Sequence, residues 1–373
     1  MKKLLLILVV LYSLNLNAQV KEDSIHERLT KYLYENPDLA IKEANKLLAD
    51  ETDIDKKIKY HLYLAKAFTA KRNPDESFKT LMQAQELLKK SDDVISKIDV
   101  LIIIAIQYQQ MELYSKSFET LEEADKLCEK LQEQNNEQKY NWLGKSNTIK
   151  GIIYKSQGNN EIALEKFFDA IHYFEKTSQS VPVLSNISIV YYNIGYCYFN
   201  LKDSKNAEKY FLKSLSDAEK SKAQSLQAFA LKGLAENYAA QNNHKKALEL
   251  LENAKEKAKN IGDLVLNEGI YKGLAENYLI SGNFESYVVN DDAYRKSQFE
   301  REQSELKSIN SLMNNVTENN NKLKKDISSK NTTVTVVSLL ISIIISCVLL
   351  LLTLRKNKKN QELKKKIQAL ITQ

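Results

Sequence analysis

The string Lys-Gly-Leu-Ala-Glu-Asn-Tyr stands twice in this chain of 373 residues, at Lys232–Tyr238 and forty residues on at Lys272–Tyr278. Self-similarity at a fixed period of this size implies stacked supersecondary units, each needing a neighbour to bury its apolar face. The period extends outward as a small residue, an aromatic three later and a small one twelve later. Six sets fit: Ala65/Phe68/Ser77, Ala105/Tyr108/Ser117, Gly151/Tyr154/Ala163, Gly195/Tyr198/Ala207, Ala235/Tyr238/Ala247, and Ala275/Tyr278, whose second helix is degenerate from Tyr287 onward. The spacing reads as a packing code in which a small residue on one helix lets the next cross closely and the aromatic fills the space beneath.

Pro37 and Pro74 each follow an Asn and precede an Asp, the pattern of an N-cap and a first helical turn, so each is expected to open the second helix of a hairpin. That makes 25–50 a weaker first unit. Turns are expected at Gly158-Asn159-Asn160, Lys202-Asp203, Asn242-Asn243 and Ser281-Gly282-Asn283.

The pattern resembles the tetratricopeptide repeat, whose Leu-Gly, Tyr, Ala, Phe and Ala positions are met by Leu234-Ala235, Tyr238, Ala247, Leu251 and Ala254. The steps between units exceed the family's short form and its inter-unit Pro is missing, which suggests extended helices with longer connections. The expected fold is all-α: a superhelix of about seven α-α hairpins over 19–293, a coiled-coil stalk over 294–331, one transmembrane helix over 332–354 and a basic tail over 355–373.

The ends carry targeting signals. Met1–Ala18 has two lysines, an apolar run from Leu4 to Leu11 and a polar approach to Ala18, the layout of a secretory signal peptide; the alternative is an uncleaved anchor. Thr332–Leu354 holds no charge and is 15/23 Val, Leu or Ile, long enough at about 1.5 Å per residue to cross a ~30 Å hydrocarbon layer. Seven Lys/Arg follow it and four precede it within twenty residues, so 355–373 is expected on the cytoplasmic side and the repeats outside. The net charge of +6 resides in that tail, and the repeats are not expected to bind nucleic acid.

Phe299, Leu306, Met313, Asn320 and Ile327 are spaced by seven, with Ile309, Val316 and Leu323 at companion seam positions. This reads as a dimeric stalk, for which Leu306, Ile309, Met313, Val316, Asn320 and Leu323 are the expected contacts, the lone Asn favouring a parallel homodimer. The alternative is one long helix packed back on the repeats. Ser338, Ser342 and Ser346 offer a small face within the span.

In a repeat solenoid the first helices line the inner groove. The expected groove positions are Lys59, Lys66, Ile102, Ile106, Gln109, Thr148, Ile152, Lys155, Tyr192, Tyr196, Phe199, and the pairs Lys232/Glu236 and Lys272/Glu276. The aromatic centre suits a protein or peptide ligand, although Tyr192 and Tyr196 could equally wedge adjacent helices apart. The two Lys–Glu pairs are spaced i,i+4 and can neutralise each other. Some tetratricopeptide domains clamp a carboxylate with Lys and Asn at these positions; Glu at the second would repel that ligand, so the clamp is not carried over.

The four histidines are scattered, the nine glycines form no phosphate loop, and Cys128, Cys197 and Cys347 stand in unrelated contexts, so no catalytic, cofactor or metal site is expected. Cys128 and Cys197 read as small packing residues. The layout resembles bacterial membrane regulators, frequent in Bacteroidetes, in which exported tetratricopeptide repeats and one membrane helix precede a histidine kinase or helix-turn-helix domain; residues 355–373 hold neither. The resemblance implies a periplasmic sensor module anchored in the inner membrane. The alternatives are a static envelope scaffold and a truncated regulator.

Overall fold

The computed structural model describes residues 25–33, 35–71, 73–131, 135–306, 324, 338–340, 342–343, 349–356 and 358. The chain divides into two units, with the boundary between Ile309 and Asn310. Among the described residues the first unit is entirely helical: α1 (25–33), α2 (Pro37–Asp50), α3 (Ile54–Ala70), α4 (Pro74–Leu88), α5 (Val94–Gln110), α6 (Tyr114–Glu129), α7 (Asn136–Ser156), α8 (Asn160–Phe174), α9 (Val181–Asn200), α10 (Ser204–Lys220), α11 (Gln224–Ala240), α12 (His244–Ala258), α13 (Leu264–Ile280) and α14 (284–306).

One hydrogen-bond device repeats at the six hairpins from α3/α4 to α13/α14. The carbonyl of the periodic aromatic accepts from the N–H five residues later: Phe68 from Asn73, Tyr108 from Leu113, Tyr154 from Asn159, Tyr198 from Asp203, Tyr238 from Asn243 and Tyr278 from Asn283, all at 2.8–3.0 Å. This is a Schellman closure, and the residue before the donor takes the left-handed conformation it requires: Glu112, Gly158, Lys202, Asn242 and Gly282 have φ between 59° and 80°. The donor then begins the next helix. The side chains of Asn73, Asp203, Asn243 and Asn283 accept from the N–H three residues on, so one residue both ends a helix and caps its successor. Asn36 also ends one helix and caps the next, donating to the Tyr32 carbonyl four residues back and capping α2 at Leu39. The turns therefore fall where the sequence placed them.

The small residues are contact points between helices. Ser77 Oγ donates to the Ala65 carbonyl at 2.9 Å and Ser117 Oγ to that of Ala105 at 2.8 Å, joining the two periodic positions twelve apart. Where glycine stands on the first helices α7, α9 and α11, a ring lies against it. A Cβ on Gly144 would sit 2.6 Å from Phe174, and one on Gly151 2.5 Å from Phe167. Gly195 and Gly233 approach Phe211 at 2.6 and 2.5 Å from opposite neighbours, so this fully buried ring is held between α9 and α11. Burying each such side chain contributes about 1.5–3 kcal/mol.

The longer steps between units come from longer first helices. α7 has 21 residues and α9 has 20, against 17 for α3, α5, α11 and α13. Their extra turns lie before the small residue and carry their own contacts, Gly144 on Phe174 among them. Cys128 and Cys197 are buried free thiols in the apolar core, and burial pushes both up to about 12, so they stay protonated.

Residues 1–18, and Ile309, Met313, Val316, Asn320, Leu323 and Ser346, lie outside the described residues. Of 332–354, residues 338–340, 342–343 and 349–354 are described; they are helical, with Leu339, Leu340, Ile343, Leu349, Leu350, Leu351, Leu352 and Leu354 exposed. Among the described residues no helix is long and apolar enough to cross a membrane.

Candidate functional site

The first helices of successive units pack against one another as well as against their own partners, and this burial corrects part of the groove assignment. Ile102 lies in the apolar core, only 3% exposed, and Thr148 is buried with its hydroxyl donating to the Gly144 carbonyl at 2.8 Å. Ile102 belongs to a core shared with α6 and α7. Ile106, Gln109 and Ile152 are half-buried, Ile106 packing against that core and Ile152 against the one that holds Phe167 and Ile194. Lys59 is exposed on α3.

The residues the structure does bring together centre on Tyr196. Its phenol donates to Glu236 Oε2 at 2.7 Å and accepts from Lys232 Nζ at 2.9 Å, while Lys232 also meets Glu236 Oε1 at 2.6 Å. Tyr192 crosses Tyr196 edge-on at 4.8 Å, and both rings lean on Phe211 at 6.1 and 5.1 Å. Phe199 adds a further edge contact at 6.3 Å. The rings of Tyr192 and Tyr196 pack against Phe211 between helices, as the wedge reading expects, and the phenol of Tyr196 joins a polar network.

Two ammonium groups share one ring. Lys155 and Lys232 each lie 5.4 Å from the Tyr196 centroid. Lys155 donates to Asn193 Oδ1 at 2.6 Å, a neutral acceptor, and desolvation lowers its pKa to about 8 against the pull of nearby charges. Desolvation acts on Lys232 too, but Tyr192 and Glu236 outweigh it and leave it above its ordinary value. Burial first, then Tyr192 and Glu236, drive the Tyr196 phenol well above the usual range, so it remains neutral.

Beyond this cluster a cavity of about 700 Å³ opens between α11, α13 and α14, reached by Phe199, Lys232, Glu236, Lys272, Glu276 and Arg301. Gly269 makes room for it: a Cβ there would meet Lys232 Cε at 2.2 Å, so the lysine stem crosses the bare backbone of α13. Arg301 of α14 pairs with Glu268 of α13 and with Glu305 at 2.8 Å, closing the far wall. Lys272 and Glu276 sit 3.9 Å apart and are more than half exposed.

A second polar cluster escaped the sequence reading. Trp142 Nε1 donates to Asp99 Oδ1 at 3.0 Å, and Lys66 and Lys145 act on the same carboxylate. Burial alone would raise Asp99, but the two lysines and the indole hold it below its ordinary value and hence ionised. Lys66 also lies 5.6 Å from the Tyr63 centroid. Desolvation lowers Lys145, with Asp99 opposing. The available signal was a lone acid inside the apolar run Val94–Ile106. Among the described residues no three His, Cys, Asp or Glu side chains gather as a metal ion requires.

The tetratricopeptide repeat family model matches residues 186–260, the segment that holds α9 to α12 and the Tyr196 network. Over that segment the chain is similar to tetratricopeptide repeats. The fold is shared with a Rap protein complexed with competence and sporulation factor, at 16% identity, covering 71% of this chain and 81% of that one with a TM-score of 0.52. It is shared likewise with NprR in complex with its cognate peptide NprX, at 15% identity, 72% and 76% coverage and a TM-score of 0.50. At such identities the likeness shows the fold alone. No curated protein matches the chain.

Proposed function

We propose that this tetratricopeptide solenoid is the binding part of a membrane-anchored sensor, exported through Met1–Ala18 and held by 332–354, that takes a protein or peptide segment on its groove rather than catalysing a reaction. The observation that carries the binding reading is the half-buried Tyr196 network opening onto the α11/α13/α14 cavity, because it offers aromatic area, fixed polar groups and space in one place. Both solved structures named above are complexes with a factor or a peptide by their descriptions, which supports the same use of the fold.

The stalk belongs to this proposal. Phe299 and Leu306 are 63% and 56% exposed on α14, seven residues apart, and the same spacing continues in sequence through Met313, Asn320 and Ile327. An exported solenoid joined to a dimeric stalk can pass a change in groove occupancy toward the basic tail. A static scaffold needs no tail, so deleting 355–373 separates the two: loss of a transcriptional or phosphorylation response supports the sensor.

The binding site itself is tested by crosslinked pull-down from envelope extract with wild type and Tyr192→Ala/Tyr196→Ala, each first checked for a cooperative melt. Selective loss of partners in the folded variant supports the site. Equal recovery removes it.

A further inference from the structure

The last helix of the solenoid turns an apolar face to solvent. Phe284, Val288 and Val289 of α14 are 66%, 54% and 63% exposed, and Phe299 and Leu306 are exposed further along the same helix. Large apolar side chains gathered on one helix face mark an interaction surface. The opposite face is already in use: Asn290 and Ser297, seven residues apart, are buried, and Ser304, seven further, is half-buried.

The exposed face is in register with the heptad. With Phe299 and Leu306 at position a of an abcdefg repeat, Val288 falls at d, Val289 at e and Phe284 at g, while Asn290, Ser297 and Ser304 all fall at f, on the side away from the a/d seam. The solenoid therefore packs α14 by its f positions and leaves the seam outward. Ile309, Val316 and Leu323 continue position d in the sequence that follows.

The positions flanking the seam say which partner fits. In a parallel pair of identical helices each g residue meets the e residue five further on in the other copy. That sets Phe284 against Val289, Asp291 against Lys296 and Gln298 against Gln303: an apolar pair, a pair of opposite charges and a pair of amides. An antiparallel pair sets g against g and e against e, which places no lysine of α14 opposite an acid. The seam itself also carries charge, Glu285 and Asp292 at a, Arg295 and Glu302 at d, all exposed. Charged seam residues weaken a pair while fixing its register, so this segment is the weaker upstream end of an interface whose apolar positions lie further along the chain.

Resting on the reading of 294–331 as a dimeric stalk, we propose that the pairing surface reaches back into the solenoid: a second copy of this chain covers α14 from Phe284 to Leu306, parallel and in register. Arg301 stands on the same helix, two residues from Phe299, and pairs with Glu268 at the cavity wall. One helix thus both walls the cavity and carries the contact between copies.

The test is disulfide crosslinking of the full chain in membranes of the expressing cells, in a Cys347→Ser background that leaves only the buried Cys128 and Cys197. Val288→Cys and Phe299→Cys probe the α14 seam, Leu323→Cys the stalk, and Glu300→Cys a position b off the seam. Val288, Phe299 and Glu300 are exposed, so their replacement leaves the core intact. The three seam variants are expected to give a covalent homodimer in at least about fivefold higher yield than Glu300→Cys, because a disulfide needs Cβ atoms about 4 Å apart. In the Val288→Cys chain, Lys296→Asp should lower the yield about threefold and Asp291→Lys added to it should restore it. A dimer from Leu323→Cys with none from Val288→Cys or Phe299→Cys overturns the extension while leaving the stalk standing. No dimer from any of the three overturns the stalk reading and the extension with it. Equal yield from Glu300→Cys, or no rescue by the charge exchange, overturns the parallel seam. A Val288→Cys chain that stays monomeric yet resists a water-soluble maleimide has this face covered by the bilayer or by another protein, and overturns the second copy as its occupant.

Discussion

The same seven residues, Lys-Gly-Leu-Ala-Glu-Asn-Tyr, live in two different settings. In the first copy Lys232 is 14% exposed, bonded to Glu236 at 2.6 Å and to the Tyr196 phenol; in the second Lys272 is 56% exposed and 3.9 Å from Glu276. Gly233 presses on the Phe211 ring, whereas Gly273 meets the methyls of Leu251 at 3.1 Å. Asn237 reaches across to the Ser204 carbonyl, while Asn277 folds onto its own helix at Gly273 and meets His244. Yet Tyr238 and Tyr278 close their hairpins with the same hydrogen bond. The repeated string thus specifies a hairpin, and the preceding unit decides whether its polar residues become a site.

That contrast can be broken at its foundation by removing the ring that only the first copy has. Phe211→Ala should cost about 3–5 kcal/mol, measured by denaturant melts, because it empties a pocket walled by two glycines that cannot collapse inward. Gly233→Ala should cost about 1–3 kcal/mol although helix propensity favours alanine by about 1 kcal/mol, since its Cβ would stand 2.5 Å from a rigid ring. Gly273→Ala should fall within about 1 kcal/mol of wild type, because a leucine side chain can yield and the propensity gain offsets it. A Gly273 variant as damaging as the Gly233 one would erase the distinction.

The polar residues give the next step down. Lys232→Met should cost about 1–2 kcal/mol by stranding Glu236 and the Tyr196 phenol. Lys155→Met should act oppositely, raising stability by about 1 kcal/mol at neutral pH. Its sign follows from linkage. Burial lowers the folded lysine to about 8 while the unfolded one keeps its ordinary value of 10.5, so between these values the unfolded chain binds more protons and stability rises with pH. The advantage of Lys155→Met over wild type should therefore be full below about pH 8 and fade toward pH 10.5, in paired guanidinium melts. Lys272→Met, at an exposed pair, should shift stability by less than about 0.5 kcal/mol.

What the sequence made legible was local. The small residues, the periodic aromatics and the capping Asn and Asp act within one hairpin or against the adjacent helix, so fixed spacing reveals them. Pro37 and Pro74 were readable for the same reason, each marking N1 after a capping Asn. The groove was readable only in part. Register places Ile102 and Thr148 on the same helical face as the other expected groove residues, but both are buried in the fold, and burial depends on how units stack. The Asp99, Trp142 and Lys145 cluster joins neighbouring units through side chains of no repeated type, so no period announces it. The α14 wall was hidden by the heptad: Phe299 and Leu306 advertise one face, while Arg301 on another pairs with Glu268.

The claim that matters most is that occupancy occurs on the first-helix face around Tyr196 and not elsewhere on the solenoid. Site-specific photocrosslinking in cells, with the photoreactive group at Phe199 beside the cavity or at exposed Phe168 on α8, tests it directly. A discrete adduct from Phe199 that disappears with Tyr192→Ala/Tyr196→Ala, and none from Phe168, is the predicted result; adducts from Phe168 with none from Phe199 would contradict it.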